Sequence, residues 1–163
     1  MSGFRLNKGG LIDRAAPLDF TLDGKAFTGL AGDTLASALI ANDVHLMGRS
    51  FKYHRPRGVI SAGSSEPNAL VELREGARKE ANTRATMIEL YDGLVARSQN
   101  RWPSLEFDVG ALNSLASAMF VAGFYYKTFM WPKSFWEKIY EPIIRKAAGL
   151  GTASKEADPD KYE

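Results

Sequence analysis

The sequence predicts an α+β fold of the β-grasp type, and three local patterns point to it. LDFTLDGKAFTGL (18–30) alternates apolar and polar positions on either side of Asp23-Gly24. Glycine tolerates the positive φ of a two-residue turn, so this segment reads as a β-hairpin. AGDTLASALIAND (31–43) sets Leu35, Ala38 and Leu39 on one helical face, with Asp33 expected as the N-cap. Residues 48–68 are crowded with glycine, proline, serine and basic side chains, and the alternating ALVELR (69–74) follows them. Hairpin, helix, long ordered loop and then two further strands make up the arrangement.

Taken in order, residues 1–14 read as a flexible N-terminal arm, with Gly3, Gly9 and Gly10 and little periodicity. The β-grasp domain is expected over 15–95. Within it, residues 44–47 read as a short strand, 69–74 as a strand ending in a turn at Glu75-Gly76, and TRATMIELY (83–91) as another strand. A loop as long as 48–68 inside a compact domain is usually functional or a docking surface.

An aromatic-rich, mostly helical extension is expected over 96–150. RSQNRWPSLEFDVGAL (97–112) has no clear period, but Phe120, Phe124, Tyr125, Tyr126, Phe129, Trp131, Phe135, Trp136 and Tyr140 crowd into 120–140. Phe120/Phe124 and Trp136/Tyr140 have i,i+4 spacing. Trp102 and Trp131 each precede a proline, which disfavours helix there. Ser134 and Glu137 fit a capping box, Pro142 should kink or restart the helix, and Gly149 should end it. The aromatic block reads either as the core of a helical subdomain or as an interface to another domain or subunit. Its size favours the interface. Residues 151–163 are polar and read as a linker or a frayed end.

Composition narrows the function classes. With 163 residues, 45% hydrophobic and 25% charged, the chain suits one ordinary globular core with an appended piece. A net charge of +2 does not by itself call for nucleic acid or membrane. The N-terminus lacks the apolar stretch of a signal peptide, and no segment approaches the roughly 20 apolar residues of a membrane-spanning helix. Zero cysteines exclude disulfides, zinc–thiolate sites and redox thiols, and they fit a reducing, cytoplasmic setting.

The strongest local charge feature is GRSFKYHRPRG (48–58), where Arg49, Lys52, His54, Arg55 and Arg57 stand among Phe51 and Tyr53. These five are candidates for a cofactor phosphate or adenine contact. The same pattern also suits docking of an acidic surface or pairing with carboxylates of this chain, and the protein's own 19 acidic residues favour that reading. His45 and His54 lack a converging set of further ligands, so no metal site is assigned. There is no G-x-S-x-G elbow, dinucleotide fingerprint or P-loop. No catalytic residue is assigned.

The loop RGVISAGSSEPNALV (57–71) is laid out like the cluster-holding loop of a ferredoxin-type domain. Laying C-x4-C-x2-C on it puts the ligand positions at Ser61, Glu66 and Ala69, with a fourth near Thr86. None of the four is a thiolate. The expected domain is therefore ferredoxin-like but cluster-less, kept for structure or contacts.

The blocks GDTLASALIAN (32–42), GRSFKYHRPRG (48–58), EPNALVELR (66–74), NTRATMIELYDGL (82–94), SQNRWPSL (98–105) and AGFYYKTFMWP…FWEKIYEPIIRKAAGLG (122–151) together resemble the N-terminal region of the α subunit of heterotetrameric sarcosine oxidase. The resemblance implies an oxidoreductase complex that demethylates sarcosine to glycine, reduces oxygen to hydrogen peroxide and passes the one-carbon unit to tetrahydrofolate. It implies FAD on the β subunit, FMN at the α/β interface, NAD further along the α subunit and zinc on the δ subunit. No cofactor is expected on residues 1–163 alone, and no family catalytic residue maps onto them. The implied partners are the rest of the α subunit and the β, γ and δ subunits, without nucleic acid or membrane. The alternative is a stand-alone β-grasp interaction module without enzymatic activity.

Overall fold

Two strands and a tight turn open the fold. β1 (Asp13–Leu22) and β2 (Lys25–Ala31) pair antiparallel across Asp23-Gly24. Both turn residues have positive φ, 53° and 79°, the geometry whose twist matches a hairpin. The computed structural model describes residues 4–51, 53–115, 132–147, 151–157 and 159–160.

Helix α1 (Leu35–Ala41) follows, with Leu35, Ala36, Ala38, Leu39 and Ala41 buried. Its cap differs from the expected one. Thr34 is the N-cap and exchanges side-chain hydrogen bonds with Ser37. Asp33, one residue earlier, instead accepts from the Leu30 N–H, the Ser37 hydroxyl and the Arg5 guanidinium, the last at 2.6 Å. That buried carboxylate ties the N-terminal arm to the β2–α1 junction. Burial raises the Asp33 pKa, but Arg5, Ser37 and the Leu30 amide outweigh it and hold it below the ordinary range.

Residues 44–47 form no strand. The pairing lies just beyond them, in a two-residue ladder of β3 (Gly48–Arg49) and β4 (Pro56–Arg57). β5 (Leu70–Leu73) falls where the alternation placed it. The next strand, β6 (Glu80–Arg84), comes earlier than 83–91, because Ala85 already turns away to donate to Ala69 and only Glu89 makes a bridge, to Thr34. β7 (Leu94–Ser98) had no counterpart in the sequence reading and lies across the expected boundary at residue 95.

The sheet order is β2-β1-β7-β5-β6, with β7 parallel to β1 and antiparallel to β5. β7 thus joins two hairpins into one mixed sheet. α1 shares one buried core with Phe20, Leu22, Val71, Leu73, Leu94 and Ala96 of the sheet and with Met47. Apolar burial at about 25 cal/mol per Å² is the main force holding these layers together.

The described part of 96–150 is only partly helical. Residues 101–108 form an irregular segment closed by a Pro103–Asp108 bridge, with a cis bond at Trp102-Pro103. A 3-10 stretch follows at Val109–Ser114. Residues 133–147 run through a 3-10 turn, a π turn at Trp136–Tyr140 and then α2 (Glu141–Ala147). The Ser134–Glu137 capping box is not formed: Ser134 lies inside the 3-10 turn, and Pro132 is its N-cap without a side-chain bond. The winding changes from π to α at Glu141, directly before Pro142, which has no N–H to continue the helical ladder. An aromatic-rich helical unit is not formed by the described residues, of which Phe135 and Tyr140 are a ring pair at 6.4 Å. Phe120 to Trp131 and Gly149 lie outside them. In the tail, Gly151 donates to Asn82 Oδ1 and Asp160 pairs with Arg78.

Candidate functional site: a cluster loop and a basic hairpin

The loop between β4 and β5 is organised around one carboxylate. Glu66 follows a short 3-10 turn at Gly63–Ser65 and is fully buried. Its Oε2 accepts the amides of Ile60 at 2.7 Å and Ser61 at 2.8 Å. Its Oε1 accepts those of Asn68 at 2.6 Å and Ala69 at 3.2 Å. Burial raises the Glu66 pKa, yet the four N–H donors outweigh it and hold it below the ordinary value of 4.5. Arg84 Nε donates to the Glu66 carbonyl, and the Thr86 hydroxyl donates to the Gly63 carbonyl. Ala85, beside Thr86, donates its amide to Ala69. Ser61, Glu66, Ala69 and Thr86 therefore meet in one small region.

That region does not fit an iron–sulfur cluster. Iron there needs thiolates, and the four positions supply two hydroxyls, a methyl group and one carboxylate. The carboxylate is saturated by amides, the Thr86 hydroxyl is committed to a carbonyl, and the buried Ser61 Oγ has no hydrogen-bond partner among the described residues. Among those residues no group of three or more His, Cys, Asp or Glu could hold a metal ion.

The basic hairpin beside this loop divides its candidates. Arg49 is turned inward: Nε donates to Leu105 O at 2.8 Å, and its two terminal nitrogens donate to His54 O and Glu106 O. His54 has φ 51° and sets Nδ1 at 2.5 Å from Asp108 Oδ2. A carboxylate only accepts, so Nδ1 carries the proton. The Asp108 side chain is fully buried and also takes the amides of Trp102 and Gly110. Burial raises its pKa, but the Trp102 amide, His54 and the Gly110 amide bring it below the ordinary 3.8. A Cβ on Gly110 would lie 2.3 Å from the His54 ring, so only glycine permits this contact.

Arg49 and His54 thus clasp the hairpin to residues 101–110. Arg55 and Arg57 are exposed, and Arg55 stacks over the Tyr53 ring at 4.9 Å. Lys52 lies outside the described residues. His45 is separate, paired with Asp43 at 3.0 Å. Asp108 escaped the sequence reading because it sits in a stretch without periodicity. The available signal was local: Asp108-Val-Gly110 is the spacing at which an Asp side chain caps an amide two residues on.

The mixed five-stranded sheet with its packed helix is that of a ferredoxin-like domain, and the sequence has no cysteine to ligate a cluster. A model of the 2Fe-2S iron-sulfur cluster binding domain matches residues 15–101, and the chain belongs to that family. It is 69% identical over all 163 residues to the sarcosine oxidase subunit alpha of Rhizobium meliloti (strain 1021). It is 42% identical over 93 residues to the subunit of the same name from Corynebacterium sp. (strain U-96), a match covering 54% of this chain and 9% of that one. The chain spans 16% of the length of the Rhizobium relative. A solved L-proline dehydrogenase from P. horikoshii aligns with 53% of this chain and 16% of its own, at TM-score 0.41 and 22% identity. No helix among the described residues is long and apolar enough to cross a membrane.

Proposed function

We propose that this chain is a structural and subunit-contact part of a sarcosine oxidase α subunit. The complex would oxidise the N-methyl group of sarcosine, giving glycine. Oxygen takes two electrons and two protons to form hydrogen peroxide, and tetrahydrofolate takes the one-carbon unit. The observation that carries this reading is the 69% identity across the whole chain to a subunit of that name. FAD, FMN, NAD and zinc belong, on this reading, to other parts of the complex, and Arg55, Arg57 and Lys52 are candidate contacts to a neighbouring subunit or cofactor. A cysteine-free sequence suits the cytoplasm.

Gentle purification of the native protein tests the proposal. Sarcosine-dependent oxygen uptake and peroxide formation should co-elute with this chain in a species of several subunits. A chain that elutes alone, without that activity, would instead favour a free-standing interaction module.

A further inference from the structure

We propose that the Glu66 carboxylate is a built-in replacement for the iron–sulfur cluster of this domain, a fixed anion that takes the loop's amide hydrogen bonds and leaves the loop redox-inert. A bound cluster is an anionic group whose sulfurs accept hydrogen bonds from the surrounding chain. Removing it from such a loop leaves those donors without their acceptor, and a donor stranded away from water is destabilising. Here the donors of Ile60, Ser61, Asn68 and Ala69 are all satisfied by one side chain, and that side chain stands at a ligand position.

Three further observations agree. Glu66 is fully buried, and among the described residues its carboxylate is bonded by four backbone amides and by no Arg, Lys or His. The other three ligand positions carry side chains smaller than glutamate, Ser61, Ala69 and Thr86, and two of them, Ser61 and Ala69, give their amides to the carboxylate. The Ser61 hydroxyl is buried and has no hydrogen-bond partner among the described residues, so it does not compete for the carboxylate.

The test uses the full polypeptide as purified, with hydrogen exchange read amide by amide. In Glu66→Ala the amides of residues 60, 61, 68 and 69 should exchange at least about tenfold faster, while those of the β1–β2 hairpin stay as slow as before. Unchanged protection at the four amides overturns the proposal. So does an equal acceleration throughout the hairpin, since the loop would then have no anchor of its own. Should Glu66→Ala fail to fold, Glu66→Gln decides. A carboxamide has one accepting oxygen, so one pair of amides should stay slow and the other become fast; four slow amides would show that the anion is not needed.

The identity of the position is tested separately. A folded variant with Ser61→Cys, Glu66→Cys, Ala69→Cys and Thr86→Cys should take up iron and sulfide on anaerobic reconstitution and turn brown. A folded variant that stays colourless would mean that the four positions do not form one cluster site. Iron and acid-labile sulfide bound to the unmodified chain would overturn the proposal outright.

Discussion

The Glu66 loop and the Asp108 clasp each bury one carboxylate under backbone that has no regular secondary structure, yet they hold it differently. Glu66 is held by four amides from its own loop, within six residues in sequence. Asp108 is held by two amides of its own segment and by His54, 54 residues away, with Arg49 Nε at 3.7 Å. The first arrangement shapes one loop. The second fastens two distant segments together. A carboxylate can therefore set a local conformation or a tertiary contact, according to whether its partners are backbone or side chain.

The largest effect is expected at Glu66. Glu66→Ala leaves four amide donors, one buried and three part-buried, without their acceptor and should cost about 3–5 kcal/mol of stability, read from the urea midpoint. A loss below about 1 kcal/mol would show that water replaces the carboxylate. Asp108→Ala should cost about 2–3 kcal/mol, since exposed rims of the clasp can rehydrate. A double-mutant cycle of Asp108→Ala with His54→Ala should give a coupling of about 1–2 kcal/mol, whereas Glu66→Ala with His54→Ala should be additive. Coupling in the second cycle would mean that the two regions act as one.

Acid acts on both carboxylates. Asp33, Glu66 and Asp108 all have folded pKa values below their ordinary ones. A depressed folded pKa contributes stability that is present above the unfolded value and lost as pH falls through the folded value. The urea midpoint should therefore drop as pH falls below about 4.5. In Asp108→Asn that drop should be shallower than in the wild type, because one of the proton-linked groups is gone. A slope identical to wild type would show that Asp108 is not perturbed by folding.

The smallest effects belong to the exposed half of the basic hairpin. Arg55→Ala and Arg57→Ala should each change stability by less than about 0.5 kcal/mol, whereas Arg49→Ala, which strands three carbonyls, should cost about 1–2 kcal/mol. If Arg55 and Arg57 serve a partner, their substitution should weaken subunit association while leaving thermal unfolding unchanged. Light scattering beside a melting curve separates the two.

Periodicity and turn chemistry carried much of the sheet. Asp23-Gly24, the face of α1 and the alternation of ALVELR lie where local preference put them, because each depends on neighbours within about four residues. The missing thiolates were legible for the same kind of reason, since ligand spacing is a property of one short loop. β7 was not legible. Its residues, Leu94 to Ser98, are a strand because β1 and β5 flank them on both sides, and nothing local marks that. Asp33 was read as a cap because acidic residues suit that position; Arg5, 28 residues away, recruits it elsewhere.

By itself the sequence determined a cysteine-free β-grasp chain with a cluster-type loop and a basic segment. Only the tertiary structure decided what fills that loop and which basic residues remain available. Both outcomes depend on burial. A carboxylate out of water must find its donors wherever the fold brings them, whether from four amides of the same loop or from a histidine 54 residues away.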